Sequence, residues 1–194
     1  MPAAFDLATG RPLRIEEDFQ LDGTSLSLRD ATQADARAIC TIYNQGIEDR
    51  SATLETELRT PQERARWLAG RGPRHPVLVA ERDGEVLGWG SLNAFNPRPA
   101  YAGVADFSIY VLRDARGQGV GGFLMDALEA RARALGYHKL VLAMFDWNTA
   151  GVHLYRRHGF RTVGVYREQG MLDGRRVDVL LMEKILGQTG CADA

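Results

Sequence analysis

The sequence predicts a single α/β domain of mixed strands and helices. Several segments alternate apolar and polar residues, which is the period of a half-buried strand. Others repeat apolar residues at intervals of three and four, which is the period of an amphipathic helix. The short apolar run KLVLAMF (139–145) is unbroken, as expected of a central strand that is covered on both faces. A chain of 194 residues is long enough for one domain with its own core.

The two ends of the chain are predicted to lie outside this domain. Residues 1–23 show no clear periodicity and are assigned to an N-terminal extension, and residues 187–194 are assigned to a C-terminal tail. The domain therefore spans residues 24–186, without internal repeats or low-complexity tracts.

The first half of the domain predicts a strand, two helices and a hairpin. TSLSLRDA (24–31) alternates and predicts the first strand. Thr32 is a candidate helix N-cap, and apolar residues then follow at helical spacing: Ala36, Ile39, Cys40, Tyr43 and Ile47. Pro61 favours the first turn of a second helix that ends near Gly70. PVLVAERDGEVLGWGSL (76–92) predicts a hairpin around Asp83-Gly84.

The second half alternates strands and helices. After the proline-rich loop NPRPAYAG (96–103), VADFSIYVL (104–112) predicts a strand with Asp106, Ser108 and Tyr110 on its polar face. Its other face carries Ala105, Phe107, Ile109 and Val111. Helices are predicted from about Gly119 to Gly136 and over 148–158, and FRTVGVYRE (160–168) and RRVDVLLMEKI (175–185) predict the closing strands.

Composition narrows the class of protein. Lys plus Arg is 24 and Asp plus Glu is 25, so a net charge of -1 argues against a general nucleic-acid binder. No apolar run approaches the roughly 20 residues of a membrane span, and the N-terminus lacks the pattern of a signal peptide. Cys40 and Cys191 are far apart, so we expect no disulfide framework and a cytoplasmic protein. His75, His138, His153 and His158 share no metal-ligand spacing, so no metal site is expected.

Glycines cluster where the strand 104–112 leads into the next helix. Arg116-Gly117-Gln118-Gly119-Val120-Gly121-Gly122 stands at this joint. The first amides of a helix have no intrahelical partners and carry the positive end of its dipole. Glycines let a ligand approach those amides, which favours an anion site and most naturally one for pyrophosphate. The alternative is a tight turn that needs glycine only for its backbone angles. The spacing fits neither a Walker loop nor a Rossmann fingerprint.

The glycine joint also resembles a known family. Arg116-x-x-Gly119-x-Gly121 matches the Q/R-x-x-G-x-G/A signature of the GNAT superfamily of N-acyltransferases, whose loop holds the pyrophosphate of acetyl-CoA. Asn148 and Tyr155, in NTAGVHLYRRHGF (148–160), match a second mark of that family. The resemblance covers about residues 24–186 and implies a mixed central sheet of about seven strands with helices on both faces.

Within the superfamily, the chain is similar to the phosphinothricin-type acetyltransferases. The similarity lies in IYNQGIEDRSATLETELRTPQER (42–64), NPRPAYAGVADFSIYV (96–111) and DGRRVDVLLMEK (173–184). It implies direct transfer of acetyl from acetyl-CoA, as cosubstrate, to the primary amine of a small amino-acid-like acceptor of the phosphinothricin, arsinothricin or methionine sulfoximine type. It also implies a role in antibiotic or herbicide resistance and a homodimer. A peptide or protein N-acetyltransferase and a non-catalytic CoA-binding regulatory module are the alternatives.

The resemblance also implies the cofactor-binding residues. In the family, the backbone N–H at the position of Val111 meets the thioester carbonyl. The asparagine and tyrosine marks flank the pantetheine and thiol ends of the cofactor. The implied cofactor-binding residues are Ile109, Val111, Arg116, Gly117, Gln118, Gly119, Val120, Gly121 and Asn148.

Two residues are candidates for proton transfer. Asp106 stands where the related enzymes carry a glutamate proposed as base, but it is one methylene shorter, so a bridging water would fit. The alternative is a structural carboxylate paired with an arginine. Tyr155 is the candidate acid for the leaving thiolate, at a position where many phosphinothricin-type members have histidine. The alternative is a half-buried tyrosine that only orders the cofactor sulfur.

Arg98 and Tyr110 are the candidate substrate-binding residues. In the phosphinothricin-type enzymes two basic residues, two positions apart, are thought to hold the acidic substrate. The second matches Arg98, while the first falls on neutral Asn96. We therefore expect weaker binding of a doubly anionic acceptor, unless Arg50 or Arg59 substitutes. The alternative is that Arg98 is a solvated loop residue.

Overall fold

The strands of this chain form one mixed sheet, as the sequence predicts. The computed structural model describes residues 19–21 and 24–187, in which eight strands pair in the order β1-β2-β3-β4-β5-β6-β8-β7. They are β1 Phe19–Leu21, β2 Thr24–Asp30, β3 Val77–Arg82, β4 Glu85–Ala94, β5 Val104–Val111, β6 Lys139–Met144, β7 Arg161–Leu172 and β8 Arg175–Ile185. The helices are α1 Ala36–Glu48, α2 Pro61–Ala69, α3 Val120–Ala134 and α4 Thr149–Arg157.

The one parallel pair in this order, β5 with β6, is very short. Its register covers Val104↔Lys139, Ala105↔Leu140 and Asp106↔Val141. Beyond Asp106, β5 stays paired with β4 as far as Val111, while β6 stays paired with β8 as far as Met144. The two strands therefore separate in the middle of the sheet, and we call the space between them the strand gap.

Helices cover both faces of the sheet, which confirms the predicted arrangement. On one face α1 and α2 pack on Val77, Val79 and Trp89. On the other face α3, with residues of α4 against it, packs on strand side chains that include Phe107 and Leu140. Two glycines of β4 let α3 lie close. A Cβ atom at Gly90 would stand 2.8 Å from Leu128 Cδ1, and one at Gly88 would stand 3.0 Å from Leu124 Cδ1.

The boundaries differ from the sequence prediction at a few places. Phe19–Leu21 falls in the residues assigned to the extension, yet it pairs with β2 as an edge strand. Thr32 is the N-cap of the short 3-10 helix Gln33–Asp35, where its N–H donates to Asp35 Oδ2 at 2.7 Å, and α1 begins after it at Ala36. The observed β7 continues to Leu172, beyond the predicted end at Glu168, and its pairing with β8 shifts register near Gly164 and Gly170. Residues 1–18, 22–23 and 188–194, and so Cys191, lie outside the described residues.

The predicted turn and cap glycines have the conformation that their roles require. Gly136 and Gly159, which follow α3 and α4, have φ of +78° and +80°. Asp83-Gly84 and Asp173-Gly174 both have positive φ at the two hairpin turns. None of the helices in the described part of the chain is long and apolar enough to cross a bilayer.

Candidate active site

A cleft of about 840 Å³ lies between β5 and the N-terminal ends of α3 and α4. It collects most of the predicted cofactor-binding residues, although they are far apart in sequence. The predicted residues that line it are Ile109, Val111, Arg116, Gly117, Gly119, Gly121 and Asn148, together with Tyr110 and Tyr155. We call this space the cofactor cleft.

The glycines at the start of α3 have a backbone conformation that fits the turn interpretation and a position in the cleft that fits the anion-site interpretation. Gly117 and Gly119 have φ of +76° and +83°, so the backbone itself requires glycine there. Gly121 has an ordinary helical backbone, but a Cβ atom there would stand 3.3 Å from Leu154 Cδ2 in the adjacent helix. The first amides of α3 therefore face the cleft with little side-chain bulk around them, which suits a phosphate group.

Arg116 has a partner that the sequence did not reveal. Its Nη1 lies 2.6 Å from Asp49 Oδ2, and its Nε donates to the Val111 carbonyl at 3.3 Å. Burial alone would raise the pKa of Asp49, but hydrogen bonds from Arg113 and Arg116 lower it. A pyrophosphate at this site would therefore meet an arginine that is already held in place by a carboxylate.

Two residues of the predicted set do not present their side chains to the cofactor cleft. The Gln118 side chain donates to the Asp114 carbonyl at 2.7 Å, and Val120 is buried in the core. They can contribute only backbone groups there. Asn148 does line the cleft, and its Oδ1 also caps α4 by accepting from the Gly151 N–H at 3.0 Å.

Strand pairing directs two backbone N–H groups into the strand gap. The Leu112 N–H donates to the Leu87 carbonyl at 2.8 Å, on the β4 side. Since hydrogen-bonded and non-bonded pairs alternate along an antiparallel ladder, the N–H groups of Ile109 and Val111 point away from β4. Because β6 has already separated, they face the gap.

Tyr155 lies on α4 beside this gap, half-buried against aromatic rings. Its ring packs edge-on against Phe107 at 5.5 Å and Phe160 at 5.8 Å. Burial, and then the nearby charge of Asp106, raise the pKa of Tyr155 above its ordinary value. The phenol therefore stays protonated at neutral pH and can act as a hydrogen-bond or proton donor.

Asp106 is the last β5 residue that pairs with β6. Burial raises the pKa of its carboxyl to about 6, against the opposing effect of a hydrogen bond from Asn93. The Asn93 Nδ2 lies 3.4 Å from both Asp106 Oδ1 and Ser108 Oγ. Among the described residues no cation forms an ion pair with Asp106, so the alternative of an arginine partner has no support there. Asn93 is a site residue that sequence analysis missed.

A second cavity of about 430 Å³ lies on the opposite face of the sheet, beneath α1 and α2. We call it the acceptor cavity. Its walls carry Tyr43, Glu55, Arg59, Glu63, Arg64, Trp67, Trp89, Ser91, Asn93, Ser108 and Tyr110. Most of these residues lie in segments that the sequence singled out only by family resemblance, because their convergence depends on how α2 packs on the sheet.

Tyr110 lines both cavities and so marks where they meet. Its ring stacks on Trp89 at 4.8 Å and meets Tyr43 edge-on at 4.9 Å. Burial raises the pKa of Tyr110 well above its ordinary value. A Cβ atom at Gly46 would stand 3.0 Å from this ring, so the glycine in α1 leaves it room.

The arginines considered for an acidic acceptor are in different places. Arg59 lines the acceptor cavity with its Nε 2.8 Å from Glu55 Oε2. Arg50 lines neither cavity and pairs with Asp173 at 2.9 Å. Arg98 is exposed outside both cavities, with its backbone N–H bonded to Asn96 Oδ1 at 3.0 Å. Its role in binding the acceptor stays a prediction.

Comparison with known proteins agrees with this arrangement. The acetyltransferase (GNAT) family model matches residues 39–160. The L-methionine sulfoximine/L-methionine sulfone acetyltransferase of Pseudomonas paraeruginosa is 36% identical over 170 residues, which cover 87% of this chain and 99% of that relative. The phosphinothricin N-acetyltransferase of Streptomyces coelicolor is 32% identical over 171 residues, covering 86% and 100%.

A solved structure is similar over the same region. It is a GNAT superfamily phosphinothricin acetyltransferase from Sinorhizobium meliloti in complex with AcCoA. The match has a TM-score of 0.78 and 33% identity, and it covers 84% of this chain and 90% of that one.

The first prediction concerns the cofactor cleft. Gly121→Leu should abolish measurable acetyl-CoA binding, because the new side chain would occupy the cleft between Leu154 and Val111, both of which line it. Arg116→Ala should weaken binding by about 1–3 kcal/mol, the worth of a charged hydrogen bond. Titration calorimetry on folded variants measures both. Gly72→Leu is the control, since a Cβ atom at Gly72 would meet nothing within 4 Å. Unchanged affinity in both cleft variants would contradict the placement.

The second prediction concerns Asp106. Its folded pKa of about 6 lies above the ordinary aspartate value of 3.8. The folded state therefore binds the proton more tightly and loses stability as pH rises between these two values. At about 1.4 kcal/mol per pH unit, the ionised carboxyl costs about 3 kcal/mol at neutral pH.

Asp106→Asn should remove this cost. The free energy of unfolding of the variant, relative to wild type, should rise by about 2–3 kcal/mol between pH 4 and pH 7, measured by urea titration. Acetyl transfer should be lost in the same variant, and wild-type turnover should fall below about pH 6. Asp114→Asn, at an exposed aspartate, is the matched control. A pH-independent difference for Asp106→Asn would show that its pKa is not raised.

Proposed function

This chain belongs to the acetyltransferase (GNAT) family and is an acetyl-CoA-dependent N-acetyltransferase, and we propose that its acceptor is the primary amine of a small, acidic, amino-acid-like molecule. The observation that carries the proposal is the meeting of two cavities at Tyr110, one on each face of the sheet. The strand gap joins the two faces at that level. An amine held on one face can therefore reach a thioester held on the other.

The cofactor cleft fits acetyl-CoA in its donors and in its shape. Gly117, Gly119 and Gly121 line the cleft at the start of α3, and a Cβ atom at Gly117 would meet nothing within 4 Å, which leaves room for a pyrophosphate there. Asn148 and Tyr155, at the start of α4 and within it, line the same cleft. Bound there, acetyl-CoA supplies an acetyl thioester, and the remaining work falls to groups of the protein.

Three groups of the chain perform that work in our proposal. The Val111 N–H, directed into the strand gap, donates a hydrogen bond to the carbonyl oxygen that gains negative charge. Asp106, ionised at neutral pH, takes the proton that the amine releases, with room for a bridging water. Tyr155, which is protonated at neutral pH, donates its phenolic proton to the departing sulfur.

The acceptor cavity supports the choice of substrate class. It is small and polar, and its walls carry guanidinium groups, a type of donor that suits an oxyanion where no carboxylate of the protein engages it. The loop that follows α1 is held by two contacts. Arg50 forms an ion pair with Asp173, and Trp147 Nε1 donates a hydrogen bond to the Arg50 carbonyl at 3.2 Å. A tied loop and a cavity of this size favour a small molecule over a peptide. Acetylation of phosphinothricin-type inhibitors would give the predicted resistance.

We also propose how the protein assembles, from the side chains that its edge strand exposes. The edge strand β7 exposes large apolar side chains: Val163, Val165, Tyr166 and Met171. We infer that a second copy covers them, giving the homodimer that the family resemblance implies. We also propose that the protein is cytoplasmic, as the sequence leads us to expect.

The third prediction tests the reaction. Thiol release from acetyl-CoA should be fastest with L-phosphinothricin, L-methionine sulfone or L-methionine sulfoximine. It should be slow with polyamines, aminoglycosides and N-terminal peptides. Product mass should increase by one acetyl group on the amine. Preferential turnover of a cationic amine or a peptide would overturn the acceptor class and leave the acetyltransferase assignment intact.

The fourth prediction concerns the proton donor. Tyr155→Phe should lower kcat by about 10²-fold or more, with acetyl-CoA affinity nearly unchanged, since only the proton donor is removed. Steady-state kinetics and calorimetry on the same samples separate the two effects. Tyr101→Phe, at an exposed tyrosine that lines neither cavity, serves as the matched control. Wild-type turnover in Tyr155→Phe would reduce that residue to a packing role.

A further inference from the structure

Two hydrogen-bond donors in the walls of the acceptor cavity lack an acceptor. Arg64 Nε and Trp89 Nε1 are buried without a hydrogen-bond partner, and both residues line this cavity. Trp89 is only 2% exposed. Buried donors are rarely left unpaired, because the lost hydration costs about 1–3 kcal/mol each. The protein therefore supplies no acceptor for either of these two donors beside the cavity.

The Arg64 guanidinium is held by aromatic rings, not by a carboxylate. Its Cζ lies 3.9 Å from the centre of the Tyr43 ring and 5.5 Å from that of Trp67. Stacking engages the faces of the guanidinium and leaves its in-plane N–H groups for a ligand. Within the described residues no ion pair involves Arg64.

The other charged groups of the cavity are already engaged. Arg59 lies 2.8 Å from Glu55 and 3.9 Å from Glu63. Glu63 also accepts from the Thr60 N–H at 2.7 Å, as the cap of α2. The carboxylates therefore have their own partners, and Arg64 is left as the cation available to an anion.

The position of Arg64 places it within reach of the reaction centre. Tyr43 has Arg64 over its face and meets Tyr110 edge-on at 4.9 Å. Tyr110 is the residue where the two cavities meet. Arg64 thus stands one aromatic ring away from the entrance to the strand gap, a spacing that suits an amino acid whose amine enters the gap.

We propose that Arg64 is the anion anchor of the acceptor cavity and binds an oxyanion, carboxylate or phosphinate, of the amino-acid-like acceptor. The inference rests on the proposed function, since it assigns the acceptor to this cavity. It gives α2 a role in substrate binding that neither the glycine motif nor Arg98 supplies.

The experiment compares Arg64→Gln, Arg64→Lys and the control Arg66→Gln in the full chain. Arg66 lies on the same helix but is exposed and outside the cavity. The acceptors are L-phosphinothricin, with two anionic groups, L-methionine sulfone, with only its α-carboxylate, and the carboxamide of the latter, with none. Arg64→Gln should raise KM about 10- to 100-fold for at least one acid, at nearly constant kcat and acetyl-CoA affinity. Arg64→Lys should recover part of the loss.

The pattern of losses identifies the anion. If KM rises for both acids, Arg64 binds the α-carboxylate. If KM rises for phosphinothricin alone, Arg64 binds the phosphinate. The carboxamide should be insensitive to the change. Unchanged KM for both acids in Arg64→Gln, or an equal loss in Arg66→Gln, would overturn the anchor.

A binding measurement separates this inference from the proposed function. Trp67 and Trp89 line the cavity, so titration with L-phosphinothricin should change tryptophan fluorescence in wild type and not in Arg64→Gln. Wild-type turnover of the panel tests the acceptor class by itself. If wild type acetylates neither acid, the proposed acceptor class is wrong. The fluorescence titration then tests by itself whether Arg64 binds the anion. Absence of a fluorescence change in wild type would then overturn the anchor too.

Discussion

The separation of β5 from β6 is the constraint on which the rest of the site depends. Three residue pairs hold the strands together at one end, and each strand then follows its other neighbour. A sheet that stayed paired would use up the N–H groups of Ile109 and Val111 and would close the passage between its faces. Because the strands separate, backbone donors remain available in the middle of the core region. Asp106 stands at the point of separation, which explains both its partial burial and its raised pKa.

The two faces of the sheet then carry the two proposed ligand sites, one for the cofactor and one for the acceptor. Glycines of α3, Asn148 and Tyr155 lie on the face that suits the cofactor, while α1 and α2 enclose the acceptor cavity on the other. Tyr110 is fixed at the junction by Trp89 and Tyr43, and Gly46 leaves space for its ring. Rigid aromatic packing at that point keeps the two ligand sites in a constant relation, which a direct transfer between them requires.

Local signals in the sequence predicted what depends on local structure. The hairpin turns, the glycine joint and the polar face of β5 follow from spacing and backbone preference, and the structure confirms them. Partners brought together by tertiary packing left no such signal. Asp49 stands 67 residues before Arg116, and Asn93 joins Asp106 only across β4 and β5. Arg64 looks like one of several charges on a helix until α2 is packed against Tyr43. The strand Phe19–Leu21 was missed because three residues give no measurable period.

Residue-level amide hydrogen exchange with and without acetyl-CoA tests the central claim most directly. If the cofactor occupies the strand gap, exchange at Val111 and at Gly121 should slow on its addition. Leu112 is an internal reference, because its N–H is already bonded to the Leu87 carbonyl and should not change. Equal exchange at Val111 and Gly121 in the two states, with protection appearing elsewhere, would contradict the account.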